Sequence, residues 1–162
     1  MIDPLEKQNQ IIGLLAKNEE AVQKLYAVYA AKYPAYKDFW LELANKESQH
    51  GFMIHNFEIE LKDNPQRILF KPDRFTPEAL RSSIEYVKKI TQEAQTQDYP
   101  LITALSLAMQ IEQALIEKDY FEVFEDDDFQ LQNTLNSLKK DSQEHLEKLK
   151  KAWEKEKEAK PQ

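Results

Sequence analysis

The chain contains no cysteine. That excludes a disulfide framework, a thiolate zinc site, a cysteine nucleophile and a cysteine-ligated iron–sulfur centre. Glycine occurs only twice, as Gly13 and Gly51. Sheet proteins turn tightly and often, and those turns want glycine. No apolar run is long enough to span a bilayer, so a membrane partner is not expected. The first ten residues are polar and lack the apolar core of a signal peptide; a cytoplasmic protein is the simplest expectation. Positive charge is in deficit, with a formal net charge of −7, which argues against nucleic acid as a partner.

What is present suits one folded domain. The 162 residues are 41% hydrophobic and 31% charged, and a chain of this size buries a sizeable core unaided. Apolar residues recur at spacings of three and four, the period of helices. The first bundle helix is expected over 4–32, with the stripe Ile12, Leu15, Glu19, Val22, Tyr26, Tyr29 and Tyr33. Tyr33-Pro34 breaks it, because the residue before a proline avoids helical geometry. The second is expected over 35–62, with Leu43, Glu47, His50, Ile54, Phe57 and Leu61, and stops at Asn64-Pro65. A connector over 66–98 opens irregularly and then carries its own helix, 77–95, announced by Thr76-Pro77-Glu78 as cap, first-turn proline and first-turn acid.

The third bundle helix is expected over 100–124, with Leu101, Leu105, Ala108, Glu112, Leu115 and Asp119. An acidic turn at 125–128 caps the fourth, whose stripe is Leu131, Leu135, Leu138, Ser142, His145, Leu149 and Ala152. The Lys/Glu-rich stretch 154–162 reads as a solvated, frayed end.

Each bundle stripe is interrupted by a residue able to bind metal: Glu19; Glu47 and His50; Glu112; His145. Taken alone, an interior glutamate is more often partly exposed or hydrogen-bonded than a ligand. Here the interruptions fall at one level. At the helical rise, Glu19 lies about 22 Å before the Pro34 turn, and Glu47 and His50 lie about 20–24 Å after it. Glu112 lies about 22 Å before Asp127, and positions 142 and 145 about 22–27 Å after it. Glu47 and Glu112 each lie about 18 Å into their helices, so all these residues share a level if the second and third bundle helices run parallel. The long connector permits that.

Glu47-Ser48-Gln49-His50 is a Glu-x-x-His motif, which puts both side chains on one helix face. The fourth helix offers Ser142-Gln143-Glu144-His145, with serine where a second motif would have glutamate. Asp141 and Glu144 flank that position but by helical spacing point off the stripe. The di-iron carboxylate plan takes one Glu from each of two helices and Glu-x-x-His from each of the other two; five of the six positions are filled. Glu19 is favoured over Glu20, since it sits on the stripe and Glu19-Glu20-Ala21-Val22 parallels Glu112-Gln113-Ala114-Leu115. Asp119 is read as an acid near the bundle end, with orientation of a ligand histidine as the alternative. Tyr26 is read as packing, with a hydrogen bond to a ligand glutamate as the alternative. His55 is read as surface.

The chain resembles the rubrerythrin branch of the ferritin-like superfamily. The residues that carry the resemblance are Glu19-Glu20-Ala21 with Tyr26, and Phe39-Trp40-Leu41-Glu42-Leu43-Ala44 leading into Glu47-x-x-His50. Ala108-Met109-Gln110-Ile111-Glu112 with Tyr120, and Asp141-Ser142-Gln143-Glu144-His145 with Leu149, complete them. The resemblance implies an all-α, ferritin-like four-helix bundle with a long, helix-containing crossover between its second and third helices. It also implies a non-haem di-iron centre that reacts with peroxide or oxygen, in peroxide reduction or Fe(II) oxidation. By position, Glu19 and Glu112 are then terminal ligands, Glu47 bridges, and His50 and His145 each hold one iron. Zinc and manganese accept the same donors. Ser142 removes one bridging carboxylate, which leaves the second site weaker. The Cys-x-x-Cys pairs of a rubredoxin-like domain are absent, so electrons are expected from a separate donor protein. A homodimer is the expected assembly. The alternative is a bundle without metal, or with a structural metal only, that works as a binding or scaffold protein.

Overall fold

The computed structural model describes residues 3–63, 77–117 and 129–159. Within them the chain forms five α-helices and one 3₁₀ turn: α1 (Pro4–Lys32), the turn Pro34–Tyr36, α2 (Lys37–Asp63), α3 (Pro77–Thr96), α4 (Leu101–Glu117) and α5 (Phe129–Ala159). There is no strand among the described residues. The second helix begins two residues later than the periodicity suggests. Pro34 fixes the backbone torsion that starts a tight turn, and the Tyr36 amide donates to the Tyr33 carbonyl. Residues 118–124, with Asp119 and Tyr120, lie outside the described residues. So do Thr76, the irregular piece 66–72, the Asn64-Pro65 stop and the acidic turn 125–128.

The cross-helix hydrogen bonds give the directions. Asn18 pairs with Ser83, and Lys32 with the Gln97 carbonyl, at the same sequence separation of 65, so α3 runs parallel to α1. Between α2 and α5, Tyr36 meets Glu156, Glu42 meets Lys148, and His50 meets Asp141; one number rises as the other falls, so these helices are antiparallel. Tyr33–Tyr99 and Tyr26–Glu112 make α4 antiparallel to α1. It follows that α2 and α4 run the same way, and that α3 returns the chain along the outside of the bundle.

Burial explains the arrangement. α3 is strongly two-faced: Leu80, Ile84, Val87, Ile90 and Ala94 are buried at spacings of three and four. Each fully buried Leu, Ile or Val contributes about 1.5–3 kcal/mol, enough to pin this helix onto α1. The central core holds Trp40, Tyr26, Tyr29, Leu25, Leu43 and Leu105, all at 1% exposure or less. The Lys/Glu-rich end is helical as far as Ala159 and mostly exposed. Tyr36 Oη donates to Glu156 Oε1 at 2.8 Å, which ties that end to the start of α2. No helix among the described residues is long and apolar enough to cross a membrane.

Candidate metal centre

A carboxylate in an apolar core is costly unless it is paired, protonated or bound to a cation. Three sit together here. Glu19 (α1), Glu47 (α2) and Glu112 (α4) are at most 2% exposed, as are His50 (α2) and His145 (α5). The structure brings together all five residues singled out by level and stripe. Glu20 is exposed and faces His55, which is itself on the surface at 48% side-chain exposure.

The donor atoms fall into two overlapping sets. One is Glu19, Glu47 and His50; the other is Glu47, Glu112 and His145; within each set they lie within 4.8 Å of one another. Glu47 belongs to both. Its Oε2 lies 3.6 Å from His50 Nδ1, and its Oε1 lies 3.0 Å from His145 Nδ1. One carboxylate therefore presents one oxygen to each set. Glu19 Oε2 is 3.8 Å from His50 Nδ1, and Glu112 Oε1 is 3.5 Å from His145 Nδ1.

Several inward atoms lack a hydrogen bond. Glu19 Oε2, Glu47 Oε2, Glu112 Oε2 and His50 Nδ1 are buried with no partner among the described residues. Each unsatisfied buried group costs about 1–3 kcal/mol, and more if charged. Four orphans in one small space are the signature of a group that would satisfy them all at once, and carboxylate oxygen with imidazole nitrogen is the donor set of a transition-metal site. The residues fit a metal ion by geometry and chemistry alike.

Two neighbours hold the ligands in place. Tyr26 Oη donates to Glu112 Oε1 at 2.7 Å, leaving Oε2 free. Burial, then the Glu112 charge, pushes the Tyr26 phenol well above its ordinary range, so it stays a donor. Asp141 Oδ2 lies 3.1 Å from His50 Nε2. Asp141 lies off the stripe, as its spacing suggests, but a position one residue off the core face of α5 looks at α2, and the antiparallel register puts His50 there. His145 Nε2 has no partner among the described residues. Ser142 is buried at 2% exposure, one turn before His145.

Without metal, protons hold the cluster together. Burial and the neighbouring Glu47 charge push the Glu19 carboxyl well above the usual carboxylate range. Burial and the Glu112 charge act the same way on Glu47, but the close approach of Glu19, His145 and His50 outweighs them and leaves that carboxyl below its ordinary value. Burial lowers His50, yet the Glu19 and Glu47 carboxylates more than reverse this and push it up to about 11. His145 is pushed up to about 9 by Glu112 and Glu47 against the same burial. Glu19, His50 and His145 are thus all pushed towards their protonated forms in the metal-free site.

The five residues of the cluster are at most 2% exposed. Two surface cavities, of about 820 and 380 Å³, are lined by other residues, the first around Tyr36, Phe39 and Lys151 and the second around Lys17, Glu20 and Lys88. No protein-family model matches this chain, and no curated protein or solved structure is detectably similar to it.

Proposed function

We propose that this protein is a ferritin-like, rubrerythrin-type carboxylate protein that binds a pair of iron ions and works as an oxidoreductase on peroxide or oxygen. The observation that carries this reading is Glu47, one buried carboxylate shared by two Glu/His sets whose inward atoms are otherwise unpaired. The parallel course of α2 and α4, with α3 as the returning segment, supports the ferritin-like arrangement. Iron in a mixed nitrogen and oxygen shell exchanges electrons with peroxide or oxygen. The chain supplies the rest. Glu19 and Glu112 each face one side, Glu47 links the two sides, and His50 and His145 contribute one nitrogen each. Tyr26 and Asp141 orient Glu112 and His50. The apolar residues around the cluster limit its contact with water, and a separate donor protein would supply the electrons.

A second reading is a scaffold without metal. Its support is Ser142 in place of a carboxylate, and the direct 3.0 Å pairing of His145 with Glu47, which lets ligands satisfy each other. Anaerobic loading with Fe(II), followed by elemental analysis, separates the two. Between about one and two metals per chain is expected from the donor count. A well-folded helical protein that retains none refutes the metal reading.

A further inference from the structure

An unbroken line of aromatic side chains leads from the Glu/His cluster to the surface. Tyr26, whose hydroxyl is bonded to Glu112, lies 5.5 Å from Trp40, ring centre to ring centre. Trp40 lies 4.8 Å from Tyr29. Tyr29 meets Tyr99 edge-on at 6.4 Å, with their hydroxyl oxygens 3.1 Å apart. The first three rings are wholly buried, whereas Tyr99 is half-buried and has the Lys32 ammonium 5.0 Å from its ring centre.

Packing alone does not call for these residue types. Phenylalanine would fill the tyrosine positions without bringing hydroxyls that need partners in the core. Here each buried phenol has a hydrogen-bond partner along the line: Glu112 Oε1 accepts from Tyr26, and Tyr29 and Tyr99 share a hydrogen bond between their hydroxyls. Such a partner is what a phenol needs to shed its proton when it loses an electron. Trp40 Nε1 is buried with no hydrogen-bond partner among the described residues, so this ring has no base within hydrogen-bond reach among them and gives up an electron while keeping its proton.

We propose that Tyr99, Tyr29, Trp40 and Tyr26 form a path that carries single electrons from the surface beside Lys32 to the Glu/His cluster. Its role rests on the metal reading above. The reductant is a soluble one-electron carrier, and the final acceptor is the metal pair after oxidation by peroxide. Tyr26 passes its electron inward and its proton to Glu112 Oε1. Trp40 then restores the electron, and the proton returns from Glu112. Tyr29 reduces the Trp40 radical cation, its proton held in the hydrogen bond with Tyr99; Tyr99 then passes one electron to Tyr29, and the soluble carrier returns that electron to Tyr99. Each side chain ends as it began, and the net change is one electron moved from carrier to metal.

The path is testable in the metal-free protein, independently of the site. A diffusible ruthenium(III) complex generated by flash photolysis oxidises exposed aromatics only, and Trp40 is out of its reach at 0% exposure. In a Trp153→Phe background, Trp40 is the one remaining tryptophan, so a transient tryptophan radical spectrum reports on it alone. That radical is expected to form after the flash. In Tyr29→Phe its formation should slow on the order of tenfold, the effect of roughly 1.4 kcal/mol on the limiting step. Tyr99→Phe, at a half-buried position, should slow it likewise and covers the case in which Tyr29→Phe fails to fold. An unchanged rate in the folded variants overturns the path, whatever a parallel Fe(II) titration gives. Failure of that titration with the Tyr29 dependence intact overturns the metal reading alone.

Discussion

Removing the Asp141 carboxylate should weaken one metal site and spare the other. Asp141 Oδ2 accepts from His50 Nε2 at 3.1 Å, which keeps the proton on that nitrogen and turns Nδ1 towards Glu19 and Glu47. In Asp141→Ala, the His50 ring has nothing to hold its tautomer or its plane. Loss of such an orienting partner typically costs 10–100-fold in metal affinity, or roughly 1.4–2.7 kcal/mol. His50 belongs to the Glu19–Glu47 set and not to the Glu47–Glu112–His145 set. The loss should therefore fall on one of two dissociation constants. Anaerobic calorimetric titration of Mn(II) or Fe(II) into parent and variant resolves both. Asp141→Asn keeps an oxygen acceptor and should recover part of the affinity. Equal weakening of both sites, or of neither, would refute the orienting role and with it the assignment of His50 Nδ1 as the ligand atom.

Three further outcomes are expected. Ser142→Glu adds a carboxylate one turn before His145, so the looser metal should bind more tightly; the metal-free variant, burdened with another buried charge, should melt lower by about 2–4 °C for each kcal/mol lost, as read by calorimetry. Metal binding should tighten with rising pH, more steeply below about 9 and less steeply from there to about 11, since His145 and His50 are held protonated to about 9 and about 11 and Glu19 is also held protonated; titrations in buffers of different ionisation enthalpy should show release of up to three protons, one from each group. Tyr26→Phe strips Glu112 Oε1 of its donor and should cost the metal-free protein about 1–3 kcal/mol in a urea melt, with less loss once metal is bound.

Much of this arrangement is legible in the sequence because a helix imposes a fixed rise and period. Counting from Pro34 brings Glu19 level with Glu47 and His50 without knowledge of any contact, and the stripe separates Glu19 from Glu20. What the period cannot give is the view from one helix to the next. Asp141 looks idle on its own helix; its use appears only once α5 is set antiparallel to α2 in one particular register. The aromatic line is hidden for a related reason. Tyr26 and Tyr29 read as core on one stripe and Trp40 as part of a family-like motif, but Tyr99 lies in the short link between α3 and α4, where no periodicity points to a partner. Ser142 shows the opposite case, a departure plain in sequence whose consequence depends on the buried space around it.

The return of the chain along α3 has a bearing on how the protein folds. Each hairpin can form locally, but the cluster joins residues far apart in sequence: Tyr26 and Glu112 are separated by 86 positions, and Glu47 and His145 by 98. Contacts of that range are slow to form, because the entropy of closing the intervening loop must be spent before they reward it. The site should thus take shape late, when the two hairpins dock. Its substitutions would then act mainly on the unfolding rate and leave the folding rate nearly unchanged. Bound metal, clasping α1 and α2 of one half to α4 and α5 of the other, would serve the finished fold as a kinetic lock rather than as a nucleus.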